Sequence, residues 1–228
     1  MPSAFGAAIF DLDGVLADSM RQHHMAYVHA LQGLGDVPRS EVYAREGMNA
    51  RHVAAEILAM QGRPVEEAEA RKLGDAKQAA FRAMGRPPLY RGAEQCIGAL
   101  QSAGVLLAVV TGTSRENAHF ILGPLTQHFG HIVADGDYAQ SKPHPEPYLS
   151  AAVKLGVEPS RCVAIENAVL GVRSAVAAGM TCIALPTTMP VETLRAAGAH
   201  AIAGSLRDVA GLVLGGLKKG VPPEAAGN

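Results

Sequence analysis

Five short apolar runs constrain this chain most: residues 7–10 (AAIF), 105–110 (VLLAVV), 131–134 (HIVA), 162–165 (CVAI) and 181–185 (TCIAL). Each is too short for a stable helix and suits a pleated, buried surface, and helical patterns lie between the later ones. A parallel strand pair needs a crossover of a dozen or more residues, usually a helix, so this alternation predicts a parallel sheet between layers of helix. Two crossovers end at a glycine suited to a helix C-terminus, 145–155 before Gly156 and 168–178 before Gly179. Another core helix is predicted at 93–103. The predicted fold is α/β, a doubly wound, Rossmann-like parallel sheet, and 228 residues at 48% apolar content suffice for its core.

The interval between the first run and Pro88 breaks the pattern. It lacks β-branched runs and is rich in Ala, Glu, Arg, Gln, Met and His at amphipathic spacing, which predicts a helical insertion. The domain plan is thus a core of residues 1–16 and 89–217, a small helical cap of 17–88, and a flexible tail of 218–228. Met20, Met25, Met48 and Met60 are expected to pack within the cap.

Several function classes fall away. A net charge of −1, 4% aromatic residues and no Trp leave no footprint for nucleic acid. The first apolar run stops at Asp11 with no basic segment before it, so neither a signal peptide nor a membrane span is expected, and a cytoplasmic location follows by default. Cys96, Cys162 and Cys182 form no CxxC pair and read as core thiols. Neither glycine-rich nucleotide loop is present. A monomer is expected.

Polar residues gather where the runs end. In an open parallel sheet, ligands bind beyond the carboxyl ends of the strands. Asp11 and Asp13 follow the first run, Thr111, Gly112, Thr113 and Ser114 the second, Ser141 and Lys142 the third, Glu166 and Asn167 the fourth. Carboxylates that close repel and need a compensating charge. Acidic oxygens around a small pocket suit Mg²⁺, which often shares them with a phosphate. Lys142 and the donors near Thr111 would hold a phosphoryl group, and an aspartate can attack it.

These residues resemble the four motifs of the haloacid dehalogenase superfamily: D-x-D-G-V at 11–15, VVTG around Thr111, SKP at Lys142 and IEN at Glu166 and Asn167. The resemblance implies Asp11 as nucleophile and Asp13 as general acid/base, also giving its backbone carbonyl to Mg²⁺. It implies Thr111, Gly112 and Lys142 as phosphate-binding, and Asp11, Asp13, Glu166 and Asn167 as the metal set. Many relatives carry Glu-Asp where this chain has Glu166-Asn167, which removes a charge from that set.

The insertion resembles the mobile cap of this superfamily. Where mutases similar to β-phosphoglucomutase have K-G-x-S-R, this chain has Glu46 in place of the lysine and Ala50 in place of the arginine. The D-S-M-x-x-H stretch at 18–23, the E-G pair at 46–47 and the E-N-A loop are similar to a subgroup that includes an inorganic pyrophosphatase. That resemblance implies that Glu46 reaches the metal and compensates for Asn167. Lys77 is a candidate for neutralising a leaving phosphate, His23 for the cap hinge, and Arg51 and His52 for substrate phosphate. For Lys77, Arg51 and His52 an ordinary solvated helix position is the competing reading.

The expected activity is Mg²⁺-dependent hydrolysis of a small phosphorylated substrate through a phosphoaspartate, with pyrophosphate or a sugar phosphate as candidates. A β-phosphoglucomutase-like phosphomutase is the alternative. A dehalogenase needs neither Asp13 nor a metal, and a phospho-receiver signalling module needs no cap.

Overall fold

All five apolar runs form strands, and a sixth follows them. The structure is a computed structural model that describes residues 4–216. The strands are β1 (Ala7–Phe10), β2 (Leu106–Ser114), β3 (His131–Asp135), β4 (Cys162–Glu166), β5 (Thr181–Ala184) and β6 (Ala201–Ile202). They pair in parallel in the order β3-β2-β1-β4-β5-β6. The chain winds outward from β1 to β3, then returns to β4 on the other side of β1. The topological switch therefore lies between β1 and β4, the position that opens a crevice at the strand ends.

Strand period sorts the core into two layers. Ala8, Phe10, Leu107, Val109, Val163 and Ile165 face α5 (Ala93–Ser102), α6 (Arg115–Leu122) and α10 (Leu206–Leu214). Ala7, Ile9, Ala108, Val110, Cys162 and Ala164 face α7 (Glu146–Leu155), α8 (Val169–Ala177) and α9 (Val191–Ala196). The three cysteines are free and buried, the place expected of them. Gly156 caps α7 in the left-handed conformation, φ 67°, which a residue with a Cβ adopts only with strain.

Between β1 and β2 lie α1 (Met20–Ala30), α2 (Arg39–Ala44), α3 (Ala50–Met60) and α4 (Glu67–Ala83). They bury a separate apolar cluster that includes Tyr27, Leu31, Val53, Ile57 and Leu58. The chain enters and leaves this insertion side by side. Ala17 bridges Leu89, the Asp18 N–H donates to Pro88 O at 2.9 Å, and the Tyr90 N–H donates to Leu16 O at 2.9 Å.

Three expectations need correction. The second strand runs to Ser114 instead of stopping at Val110; pairing with β1 ends at Phe10↔Val109, and beyond a register shift Ser114 still pairs with Asp135. The strand Ala201–Ile202 went unpredicted because two residues on a sheet edge carry no period. Met25 and Met60 are 46% and 60% exposed and do not pack the insertion, although Met20 is buried. The tail expected at 218–228 lies outside the described residues.

Candidate active site

The crevice holds seven buried ionisable groups, Asp11, Asp13, His23, Glu46, Lys77, Lys142 and Glu166. Three of these, His23, Glu46 and Lys77, come from the insertion, so the site is assembled from both halves of the molecule.

Asp11 follows the last residue of β1 and is fixed by its N–H, which donates to Ile165 O at 2.9 Å. Lys142 Nζ donates to Asp11 Oδ1 and to Glu166 Oε1, both at 2.6 Å, and to Val110 O at 3.3 Å. Tyr148 OH donates to the same Glu166 oxygen at 2.7 Å, and the N–H groups of Asn167 and Ala168 donate to Glu166 Oε2 at 3.0 and 3.3 Å. Glu166 is thereby committed to Lys142, Tyr148 and the start of the next loop. Gly171 makes room for it, since a Cβ there would fall 1.9 Å from Glu166 Oε1. Burial would lower Lys142, but Asp11 and Glu166 outweigh it and hold the ammonium protonated well above its ordinary range. Burial pushes Asp11 up, against the pull of Lys142 and with the help of Glu166 and Asp13. The crevice sets four carboxyl groups, Asp11, Asp13, Glu46 and Glu166, against two lysines, Lys77 and Lys142.

Asp13 has a different surrounding. Ser19 Oγ donates to its Oδ1 at 2.6 Å, His23 Nε2 lies 2.8 Å from the same oxygen, and Thr111 Oγ1 donates to Oδ2 at 3.3 Å. Burial would raise its pKa, yet His23, Ser19 and the more distant Lys77 together bring it down to about 2. Lys77 Nζ approaches His23 Nδ1 at 2.6 Å. The tautomer that satisfies every partner has Lys77 donating to Nδ1 and Nε2–H donating to Asp13. Burial lowers Lys77 to about 8 despite Asp13, and burial and Lys77 lower His23 against the pull of Asp13. The His23 ring stacks on Phe81 with centroids 4.3 Å apart.

Glu46 accepts from Asn167 Nδ2 at 2.6 Å and from Thr188 Oγ1 at 2.9 Å. Burial pushes it well above the ordinary carboxylate range, against those two donors. Gly47 and Gly112 meet where the insertion touches β2: a Cβ on Gly112 would lie 2.7 Å from the carbonyls of Gly47 and Met48. The half-open pocket, about 40 Å³, is lined by Asp11, Asp13, Glu46, Lys77 and Thr113 and walled by Met20, Tyr27, Val42 and Val53.

The structure therefore brings together Asp11, Asp13, Thr111, Gly112, Lys142, Glu166, Asn167, Glu46, Lys77 and His23. Arg51 and His52, at the start of α3, are half-buried and outside the cavity lining, and Arg51 lies 3.9 Å from Glu67. Ser19, Tyr148 and Thr188 escaped sequence reasoning. Ser19 sits inside the D-S-M-x-x-H stretch, which offered a signal; Tyr148 and Thr188 sit in a helix and a loop with none.

Among the described residues, no group of three or more His, Cys, Asp or Glu side chains is placed to hold a metal ion. An oxygen set is present instead. Asn167 Oδ1 is buried without any hydrogen-bond partner, a costly state that a cation relieves. The Asp11 carboxylate, the Asp13 carbonyl and this amide oxygen fit a hard divalent ion in chemistry.

Known proteins resemble this chain in sequence and in fold. A haloacid dehalogenase-like hydrolase profile matches residues 5–179. Validoxylamine A 7′-phosphate phosphatase of Streptomyces hygroscopicus subsp. limoneus is 32% identical over 195 residues, 83% of this chain and 90% of that protein. Hexitol phosphatase B of Escherichia coli K12 is 30% identical over 207 residues, 81% of this chain and 85% of that protein. The crystal structure of CbbY from Rhodobacter sphaeroides with xylulose-(1,5)bisphosphate superposes with a TM-score of 0.75 at 28% identity, covering 89% of this chain and 95% of that one. The chain belongs to the haloacid dehalogenase-like hydrolases.

Proposed function

We propose that this protein is a Mg²⁺-dependent phosphohydrolase that passes a phosphoryl group from a small phosphate compound to Asp11 and then to water. The observation that carries this reading is the division of labour between two aspartates. Asp11 is pinned to Lys142 at 2.6 Å, whereas Asp13 is held by Ser19 and the His23–Lys77 pair. A pinned carboxylate suits attack; one tied to a chain of donors suits proton transfer.

In the first half-reaction an Asp11 oxygen bonds to phosphorus, the bond to the leaving oxygen breaks, and Asp13 gives that oxygen a proton. In the second, water attacks phosphorus, its proton passes to Asp13, and the Asp11 oxygen leaves as carboxylate with phosphate released. With a pKa of about 2, Asp13 is ionised before substrate arrives, so an incoming anionic phosphate must raise it for the first step. Lys142, with Thr111 and Gly112 on β2, holds the phosphoryl oxygens. Asp11, the Asp13 carbonyl and Asn167 Oδ1 would hold Mg²⁺, with Glu166 acting there through Lys142. Bound Mg²⁺ supplies positive charge that offsets both the carboxylates and the charge on the transferring group.

The small pocket, lined by Lys77 as well as Asp11, favours a compact leaving group, and pyrophosphate is the sharpest candidate. A sugar phosphate is the second reading, favoured by the relatives named for phosphatase activity on a hexitol phosphate and on validoxylamine A 7′-phosphate. Glu46, buried where a mutase-type lysine would receive a distal phosphate, weighs against phosphomutase activity.

The test is phosphate release with Mg²⁺ from pyrophosphate, hexose phosphates, phosphoglycolate and nucleotides, with Asp11→Asn as control. The highest kcat/KM for pyrophosphate and a variant at least a thousandfold slower are expected. Substantial metal-dependent hydrolysis by Asp11→Asn would sink the nucleophile assignment. Phosphate retained and moved to a second hydroxyl would replace hydrolase by mutase.

A further inference from the structure

The amide of Asn167 is held by more than its own backbone. Its Nδ2 donates to Glu46 Oε1 at 2.6 Å and to Thr188 Oγ1 at 2.8 Å, and Thr188 Oγ1 in turn reaches Glu46 Oε2 at 2.9 Å. The next acceptor for the Thr188 hydroxyl, Asn167 O, is more distant at 3.4 Å. Gly14 closes the box from below, because a Cβ there would lie 2.0 Å from Asn167 Nδ2, and Thr187 Oγ1 ties the Gly14 carbonyl at 2.6 Å. Three segments distant in sequence thus surround one nitrogen, while the oxygen of the same amide is buried and has no partner.

A primary amide has two ends of nearly equal size, so only its neighbours decide which end points where. Glu46 alone leaves a choice, since a protonated carboxyl can donate to Oδ1 as readily as a carboxylate accepts from Nδ2. Thr188 alone leaves the same choice, since a hydroxyl both donates and accepts. Together they leave none. With its proton directed to Glu46 Oε2, the Thr188 hydroxyl presents lone pairs to the amide, and both amide protons are used.

We infer that Thr188, on the loop after β5, is a positioning residue that fixes the Asn167 rotamer so that Oδ1, not Nδ2, faces the cation site. The inference rests on the proposed metal role of Asn167 and adds to it a partner outside the four motifs. It also couples two events. Glu46 belongs to the insertion and Asn167 and Thr188 to the core, so docking of the insertion completes the orientation of the amide, and a bound cation reciprocally favours docking.

The experiment is Mg²⁺ and Mn²⁺ binding by titration calorimetry, without substrate, to the full chain and to Thr188→Val, Thr188→Ser and Asn167→Ala. Removing an outer partner of a metal ligand typically costs 10- to 100-fold in affinity. Thr188→Val, which keeps shape and loses the hydroxyl, is expected to weaken binding about tenfold, whereas Thr188→Ser retains wild-type affinity. The Asn167 side-chain amide protons, followed by NMR in the same samples, are expected to lose one hydrogen-bonded signature only in the valine variant. Equal affinity of Thr188→Val and wild type, with Asn167→Ala weakened, would overturn the positioning role and leave the metal reading standing. No binding by the wild type would overturn both. Should Thr188→Val fold poorly, weakened binding in Thr188→Ser would count against the hydroxyl as the operative group.

Discussion

Lys77 donates to the Nδ1 of His23 across 2.6 Å, and through that ring the α4 helix of the insertion is joined to the carboxylate of Asp13. The ammonium is buried, near the faces of Tyr27 and Phe81 at 5.1 and 5.4 Å, and the charge that supports it is Asp13, on the far side of the imidazole. The native pKa of about 8, against 10.5 for an unperturbed lysine, records the cost of keeping a charge there. Lys77 is charged in both folded and unfolded chains below about pH 8, so the full cost applies there and fades as pH rises towards 10.5. At about 1.4 kcal/mol per pH unit that cost is on the order of 3 kcal/mol. Between pH 8 and 10.5, wild type is expected to gain that much stability relative to Lys77→Met in urea unfolding. Parallel pH dependences of the two proteins would contradict the buried-ammonium account.

The acid limb carries the opposite sign. Asp13 is depressed from 3.8 to about 2, so its contribution is fully present above pH 3.8 and is lost as pH falls through 2. The contribution is on the order of 2 kcal/mol. The stability difference between wild type and Asp13→Asn should shrink by that amount between pH 5 and pH 2, as measured by urea midpoints; a difference that stays constant would mean Asp13 is not held by His23 and Ser19 in solution.

Among the described residues, Lys142 is the one cation paired with both Asp11 and Glu166. Lys142→Met leaves two buried carboxylates without it, and about 3–5 kcal/mol of destabilisation is expected. Gly171→Ala is expected to displace Glu166 and so loosen Lys142 without altering any charge. Chemical denaturation distinguishes the two, and a Lys142→Met protein as stable as wild type would show that the carboxylates find another partner.

Gly112→Ala places a methyl group against the Gly47 and Met48 carbonyls, at distances no real Cβ adopts. The insertion must then sit farther from β2. The expected result is a loss of kcat of about tenfold or more with little change in thermal midpoint, since the contact completes the site and not the core. An unchanged kcat would mean that turnover tolerates a gap there.

The sheet was legible because its strands are apolar runs with sharp ends: the four residues AAIF and the four of CVAI contain nothing that fits elsewhere. The continuation of β2 through Thr111, Gly112 and Thr113 was not legible, because those residues have no apolar period and lie in the irregular stretch between the pairs Val110↔Val133 and Ser114↔Asp135. Asp11, Asp13 and Glu166 stood out because they lie at or just beyond the end of a strand, and Lys142 because it lies in the loop after one. The insertion was harder: that Lys77 and Glu46 line the pocket while Arg51 and His52 stand outside its lining depends on how four helices pack, and helical spacing leaves that rotation open. Thr188 and Tyr148 had no signal, since threonine after a strand and tyrosine in a helix are ordinary.

The paired chain crossing at Ala17 and Leu89 has a consequence for how such a molecule can diversify. The two ends of the excursion lie beside each other, tied by backbone hydrogen bonds at 2.9 Å on either side, so the sheet does not register how long the excursion is or what it contains. The helices from Met20 to Ala83, with an apolar cluster of their own, are in effect a transplantable head on a fixed reactor. A different head would bring another set of groups to face Asp11, and the phosphoryl chemistry beneath would need no redesign.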